Sequence, residues 1–191
     1  MAYCFRLICI IIMANDYLKR KWGMWFKVID GQQKHRISHE DMTDIENKFA
    51  ILSHMDAEQR KRMQEILDNL VNENVFYGKP GPVSKDEFIE MQNEDFKTDK
   101  DNYIAKRRHY FTVLFETMNV SGNGITEEEF VNTFRSVGHE NISLIKQFFH
   151  SYNPEEGVLP LSILINSWVQ FTTCEDSSKP DIVKAGLESG V

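Results

Sequence analysis

Residues Met118 to Phe130 read "MNVSGNGITEEEF". The second half has an order with a physical meaning. An aliphatic residue, Ile125, is followed by a hydroxyl, Thr126, an acid three places on, Glu129, and an apolar residue, Phe130. A hydroxyl with Glu or Gln three residues later, ahead of an apolar run, starts a helix in which each side chain caps the other's backbone N–H. The first half, with Asn119, Ser121, Gly122, Asn123 and Gly124, has the composition of a tight turn. The stretch therefore predicts a turn, one extended aliphatic and a capped helix.

The same order recurs along the chain. Ile37 is followed by Ser38, Asp41 and Met42, and Val83 by Ser84, Glu87 and Phe88. A fourth aliphatic, Leu159, follows a similar Gly/Pro-rich stretch without the capping pair. Between these points apolar residues fall at helical spacing. Eight helices are expected. The first runs from about Asn15 to Ile29, with Leu18, Trp22, Trp25, Phe26 and Ile29 on one face; the third, near Asp56 and Gln59, carries Met63, Ile66, Leu67 and Leu70. A helix, a loop of about a dozen residues holding one aliphatic, and a second helix form the layout of the EF-hand. The aliphatic then takes loop position eight and pairs with its neighbour's, so Ile37 is expected to pair with Val83, and Ile125 with Leu159. The expected fold is all-α: four helix-loop-helix units in two pairs, forming one compact domain. Residues 15–95 make the first pair and 103–172 the second. The polar residues 93–102 make a partly helical linker, and 173–191 a tail.

A calcium loop supplies six to eight oxygens from positions 1, 3, 5, 7, 9 and 12, position 7 through its backbone, with glycine at 6 for the turn. Loop one, Asp30 to Asp41, offers Asp30, Gln32, the Arg36 carbonyl, Ser38 and Asp41. Lys34 stands at position 5 and His35 at position 6, where a left-handed backbone is needed. An ammonium about 4 Å from a divalent ion costs roughly 8 kcal/mol at an effective dielectric of 20. Lys34 is therefore expected to swing outward and leave a ligand missing. Loop two has Phe76, Gly78 and Pro80 at positions 1, 3 and 5; loop three has Met118, Val120 and Gly122; loop four has Tyr152, Pro154 and Glu156, with Ile163 at 12. In loop three Asn123 is expected to make the turn. Calcium at low affinity in loop one is the expected limit of metal binding. The hydroxyl and the acid survive because they cap the outgoing helix, whereas carboxylates at 1, 3 and 5 serve only an ion.

Over residues 15 to 191 the chain resembles the invertebrate sarcoplasmic calcium-binding proteins and the related calexcitins. The resemblance rests on "DYLKRKWGMWFKVID", on "RISHEDM" with Asp41 at position 12, on the degenerate second loop, and on the long interval from Ile37 to Val83. It implies two EF-hand pairs around a large apolar core, acting as a cytoplasmic calcium buffer or sensor. Calcium-triggered photoproteins share this layout and hold coelenterazine among His, Trp and Tyr. Here Trp22, Trp25, Trp168, His54, His109, His150 and Tyr110 are the residues of those types to weigh.

Composition narrows the function. A net charge of -7 disfavours nucleic acid, whose phosphates need a basic surface. The runs Lys19-Arg20-Lys21 and Lys106-Arg107-Arg108 are read as solvated helix faces. Thirteen Phe and eight Met supply a large core or an internal cavity. Cys4, Cys9 and Cys174 make neither a disulfide framework nor a metal pattern, which fits a reducing cytosol. No phosphate loop, nucleophile elbow or His-Glu-x-x-His pattern is present, so no catalytic residues are assigned and no enzyme is expected. The apolar leader, residues 1–14, is too short to span a bilayer. Three readings of it stand: Met13 as the true start, a segment folded back into an apolar groove, or a signal peptide or anchor. The expectation is an interaction scaffold that has lost most of its calcium chemistry. The alternative is a calcium-independent, photoprotein-like binder of a peptide or small apolar ligand in a core cavity. The partner is then an unidentified protein or small apolar ligand.

Overall fold

The computed structural model describes residues 13–191. Most of the leader lies outside them. Helix α1, Asp16–Ile29, starts where the Asn15 side chain accepts from the Leu18 N–H, and buries Leu18, Trp22, Trp25 and Phe26. A short strand, β1 (Arg36–Ile37), leads into α2, His39–Leu52. Next come α3, Ala57–Val71, a single π-helical turn at Asn72–Phe76, and β2, Val83–Ser84. Helices α4, Lys85–Thr98, and α5, Lys100–Met118, follow. Strand β3, Ile125–Thr126, opens α6, Glu127–Ser136. The chain continues through α7, Ile142–Ser151, β4, Val158–Leu159, α8, Leu161–Thr173, and α9, Ile182–Glu188.

The fold is all-α, with two small antiparallel ladders. Strand β1 pairs with β2, setting Ile37 opposite Val83; β3 pairs with β4, setting Ile125 opposite Leu159. All four aliphatics are buried. Capping boxes of hydroxyl and acid start α2, α4 and α6, and Asp56 with Gln59 starts α3. Helix α8 starts at Pro160 without a side-chain cap.

Four expectations are corrected. Among the described residues there are nine α-helices and a π turn where eight helices were expected. Residues 93–102 are no spacer: only Asp99 separates α4 from α5, and its side chain caps α5 by accepting from the Asn102 N–H. The reason is burial, since Asn93 and Phe96 face inward and Phe96 packs edge-on against Trp22 and Tyr103. The ninth helix, α9, lies in the tail and packs on α1, α7 and α8. The basic runs are not wholly solvated. Lys21 is buried on Asp181, and buried Arg107 donates to the Asn74 side chain and to Gln92 while lying near the rings of Trp25, Tyr103 and Tyr110. On α3, Ile66 faces outward.

One apolar core joins the two pairs. Trp25 of α1 meets Phe88 of α4 and Tyr110 and Phe111 of α5, and Phe111 continues to Trp168 of α8. Aromatic pairs at such spacings add roughly 0.5–1.5 kcal/mol beyond the area they bury.

Candidate functional site

Loop one is closed by its own side chains. Asp30 Oδ1 accepts from the Lys34 N–H and Oδ2 from the His35 N–H, each at 2.8 Å. Asp41 Oδ2 accepts from the Ser38 N–H at 2.9 Å and from Ser38 Oγ at 2.7 Å. Asp41 Oδ1 lies 2.5 Å from Lys34 Nζ. Lys34 therefore turns inward, against expectation. Its ammonium sits on the position-12 carboxylate, the strongest available attraction when no ion competes. Partial burial works against the charged form of Asp41, yet hydrogen bonds from Lys34 and Ser38 hold its carboxyl below the usual range. His35 has the left-handed backbone its position requires, with φ 62°. The space between Asp30, Gln32, Lys34, Arg36 and Asp41 is about 10 Å³, at or below the room of one water. The oxygens of Asp30 and Asp41 are thus taken by the loop's own donors, and Gln32 and Arg36 line the little room left beside them, which Ser38 does not.

The other loops put protein where an ion's ligands would be. In loop two, Phe76 is in the core and stacks on His39, with ring centroids 3.9 Å apart. Glu87 Oε2 is taken by the Ser84 N–H and hydroxyl. In loop three, Met118 is buried. Asn119 Oδ1 accepts from the Gly122 and Gly124 N–H groups. Glu129 Oε1 accepts from the Ser121 N–H at 2.7 Å, while Oε2 accepts from the N–H and hydroxyl of Thr126. Asn123 does not make the turn. Gly122 and Gly124 take the left-handed backbone, and a Cβ on Gly124 would come within 2.9 Å of the Leu159 carbonyl oxygen. In loop four, Tyr152 is buried with its hydroxyl 3.0 Å from Ser167 Oγ, and Ile163 is exposed. Among the described residues no group of three or more His, Cys, Asp or Glu is placed to hold a metal ion. The donor sets of loops two, three and four do not fit calcium, which takes six to eight oxygens. Loop one fits only with Lys34 displaced.

A second feature lies between the pairs. A cavity of about 120 Å³ is walled by Trp25, Phe111, Phe115, Met118, Phe130 and Trp168, among others. Glu46 of α2 also lines it. Its residue is 4% exposed, and neither carboxylate oxygen has a hydrogen-bond partner among the described residues. Trp168 Nε1 also lacks one, whereas the buried Trp22 Nε1 donates to the Thr172 carbonyl. Burial, and after it the charge of Asp68, pushes the Glu46 carboxyl up to about 7. His54, His109 and His150 do not line this cavity; Trp25, Tyr110 and Trp168 do. Sequence reasoning missed Glu46. Its signal was position: it lies four residues after Met42 and three before Phe49, on the buried face of α2.

No family model matches the chain. It is 29% identical over 177 residues to a sarcoplasmic calcium-binding protein of Mizuhopecten yessoensis, covering 92% of this chain and 100% of that one. The chain is an EF-hand protein related to the sarcoplasmic calcium-binding proteins. Among solved structures of the same fold, the coelenterazine-binding protein of Renilla muelleri in its calcium-loaded apo form has a TM-score of 0.69 at 16% identity, over 90% of this chain and 94% of that one. The sarcoplasmic calcium-binding protein of amphioxus has a TM-score of 0.60 at 20% identity, over 91% and 97%. For this EF-hand chain, the chemistry of each loop turns on its own residues.

Proposed function

We propose that this EF-hand protein is a calcium-independent cytoplasmic scaffold whose helix pairs hold a small apolar ligand in the central cavity. The observation that carries the reading is the Lys34 ammonium 2.5 Å from Asp41 in loop one, the loop with the fullest set of ligand oxygens. A tethered cation already neutralises the position-12 acid, so calcium must displace it and then lacks the position-5 ligand. In the other loops the surviving acids are occupied by capping bonds. The ligand half of the reading is supported by the aromatic cavity and by the likeness to a coelenterazine-binding protein. No helix among the described residues is long and apolar enough to cross a membrane.

A second reading is weak calcium binding in loop one, through Asp30, Gln32, the Arg36 carbonyl, Ser38 and Asp41. The sarcoplasmic relative favours it. Thermal unfolding separates the two. A site with a Kd of about 10 µM would stabilise the fold by about 2.7 kcal/mol at about 1 mM calcium. The scaffold reading predicts the same melting temperature in chelator and in millimolar calcium. An upward shift of several degrees would favour the second reading.

A further inference from the structure

Resting on the cavity reading above, we propose that the cavity takes a small aromatic amine, its ring held among the aromatic walls and its ammonium on Glu46. Three observations lead there. The first is volume: about 120 Å³ suits a body of about one ring, since an apolar cavity of about 150 Å³ takes benzene. The second is Glu46 itself, a buried carboxyl lining that space with both oxygens unpartnered. A carboxylate removed from water without a donor is strongly disfavoured; it takes up a proton, as the upward shift of Glu46 reflects, or it is met by a paired cation or a set of N–H groups. Among the described residues neither is supplied to Glu46, although Lys34, Lys21 and Lys48 each have an acid partner.

The third observation is the local charge. Asp68 acts on Glu46 with the same sign. Asp68 is exposed and lies outside the cavity lining, so its field only adds to that of Glu46; the Glu46 carboxylate disfavours a carboxylate ligand, and a neutral hydrocarbon gives the orphaned oxygens no donor. A protonated amine answers both. It supplies two or three donors to Glu46 and cancels part of the charge.

The test is calorimetric titration of the full chain with three probes of equal bulk: benzylamine, benzyl alcohol and ethylbenzene. Benzylamine is expected to bind at least about tenfold more tightly than ethylbenzene, the gain usual for a hydrogen bond to a charged group, with the alcohol between them. In Glu46→Gln that preference is expected to vanish while ethylbenzene binding stays. Equal binding of the three probes to the unaltered protein overturns the amine proposal and leaves the apolar cavity standing. Amine binding that survives Glu46→Gln overturns it as well. If none of the three binds, the cavity reading itself fails. The probe series on the unaltered chain decides the matter even where the variant does not fold.

Discussion

On the calcium-independent reading proposed above, Lys34 and Glu46 are the two side chains that set this EF-hand apart from a metal-binding one. Lys34 places a cation where the position-5 ligand belongs and binds the acid at position 12. Replacing Lys34 by Asp and His35 by Gly removes the tethered charge, adds an oxygen ligand and restores the turn glycine. Calorimetry is expected to show loop-one calcium affinity rising at least about tenfold; no rise would mean that the loop is held shut by something other than Lys34. Glu46 is the converse, an acid with no cation. Its carboxyl is raised from 4.5 to about 7. The folded protein then binds more protons than the unfolded chain between those values, so stability falls as pH rises through that window and levels off above it. The cost at pH 8 is at most roughly 3 kcal/mol on the basis of that shift. Glu46→Gln is expected to be more stable than the unaltered protein above pH 7, by urea denaturation, and to lose the fall between pH 4.5 and 7. The absence of side-chain ligands at positions 1, 3 and 5 of loops two and three could be read from residue types alone. The inward turn of Lys34 could not, because a chain scored as a metal site invites repulsion from an ion, whereas the folded loop offers attraction to Asp41.

The secondary-structure elements follow from capping and from spacing. Thr126 and Glu129 cap α6 reciprocally, and Ser121 donates to Glu129 from its N–H to Oε1 and from its hydroxyl to Oε2. Thr126→Ala is expected to lower stability by about 1 kcal/mol, measured as a shift of the urea midpoint, and to leave calcium response unchanged. A drop together with an altered calcium response would show that the hydroxyl serves an ion as well as the helix. The pairing aliphatics and the helix starts were readable because a hydroxyl–acid pair three apart is a local signal. The one-residue joint at Asp99 was hidden by composition. Asn93 to Asn102 is polar, yet Phe96 turns inward and keeps α4 helical through the stretch. The π turn was hidden for the same reason, since Val75 and Phe76 extend the buried face of α3 beyond its regular spacing.

The assembled molecule depends on contacts between segments far apart in sequence. Lys21 of α1 and Asp181 before α9 form a buried ion pair at 3.1 Å, and Asp181 also caps α9. Gly186 of α9 lies against the Phe148 ring, where a Cβ would come within 2.3 Å. Asp181→Asn keeps a capping side chain but leaves a buried ammonium without its counter-charge. It is expected to cost about 3–5 kcal/mol in urea denaturation, most of which returns when Lys21→Met is added. A small loss in the single variant would mean that α9 is an appendage. This clamp could not be foreseen, because a seven-residue helix after Pro180 carries too little periodicity and its partner lies in a basic run that looks solvated. The clamp and the shared aromatic core together join the two pairs around a central cavity. The most direct test is a calcium titration of the purified chain by calorimetry with tryptophan emission, since Trp22 and Trp25 lie on the helix entering loop one. The expected result is no heat and no emission change below about 100 µM, beyond the range of calcium sensors. Saturable binding in the low micromolar range, with a shift in emission, would contradict the account.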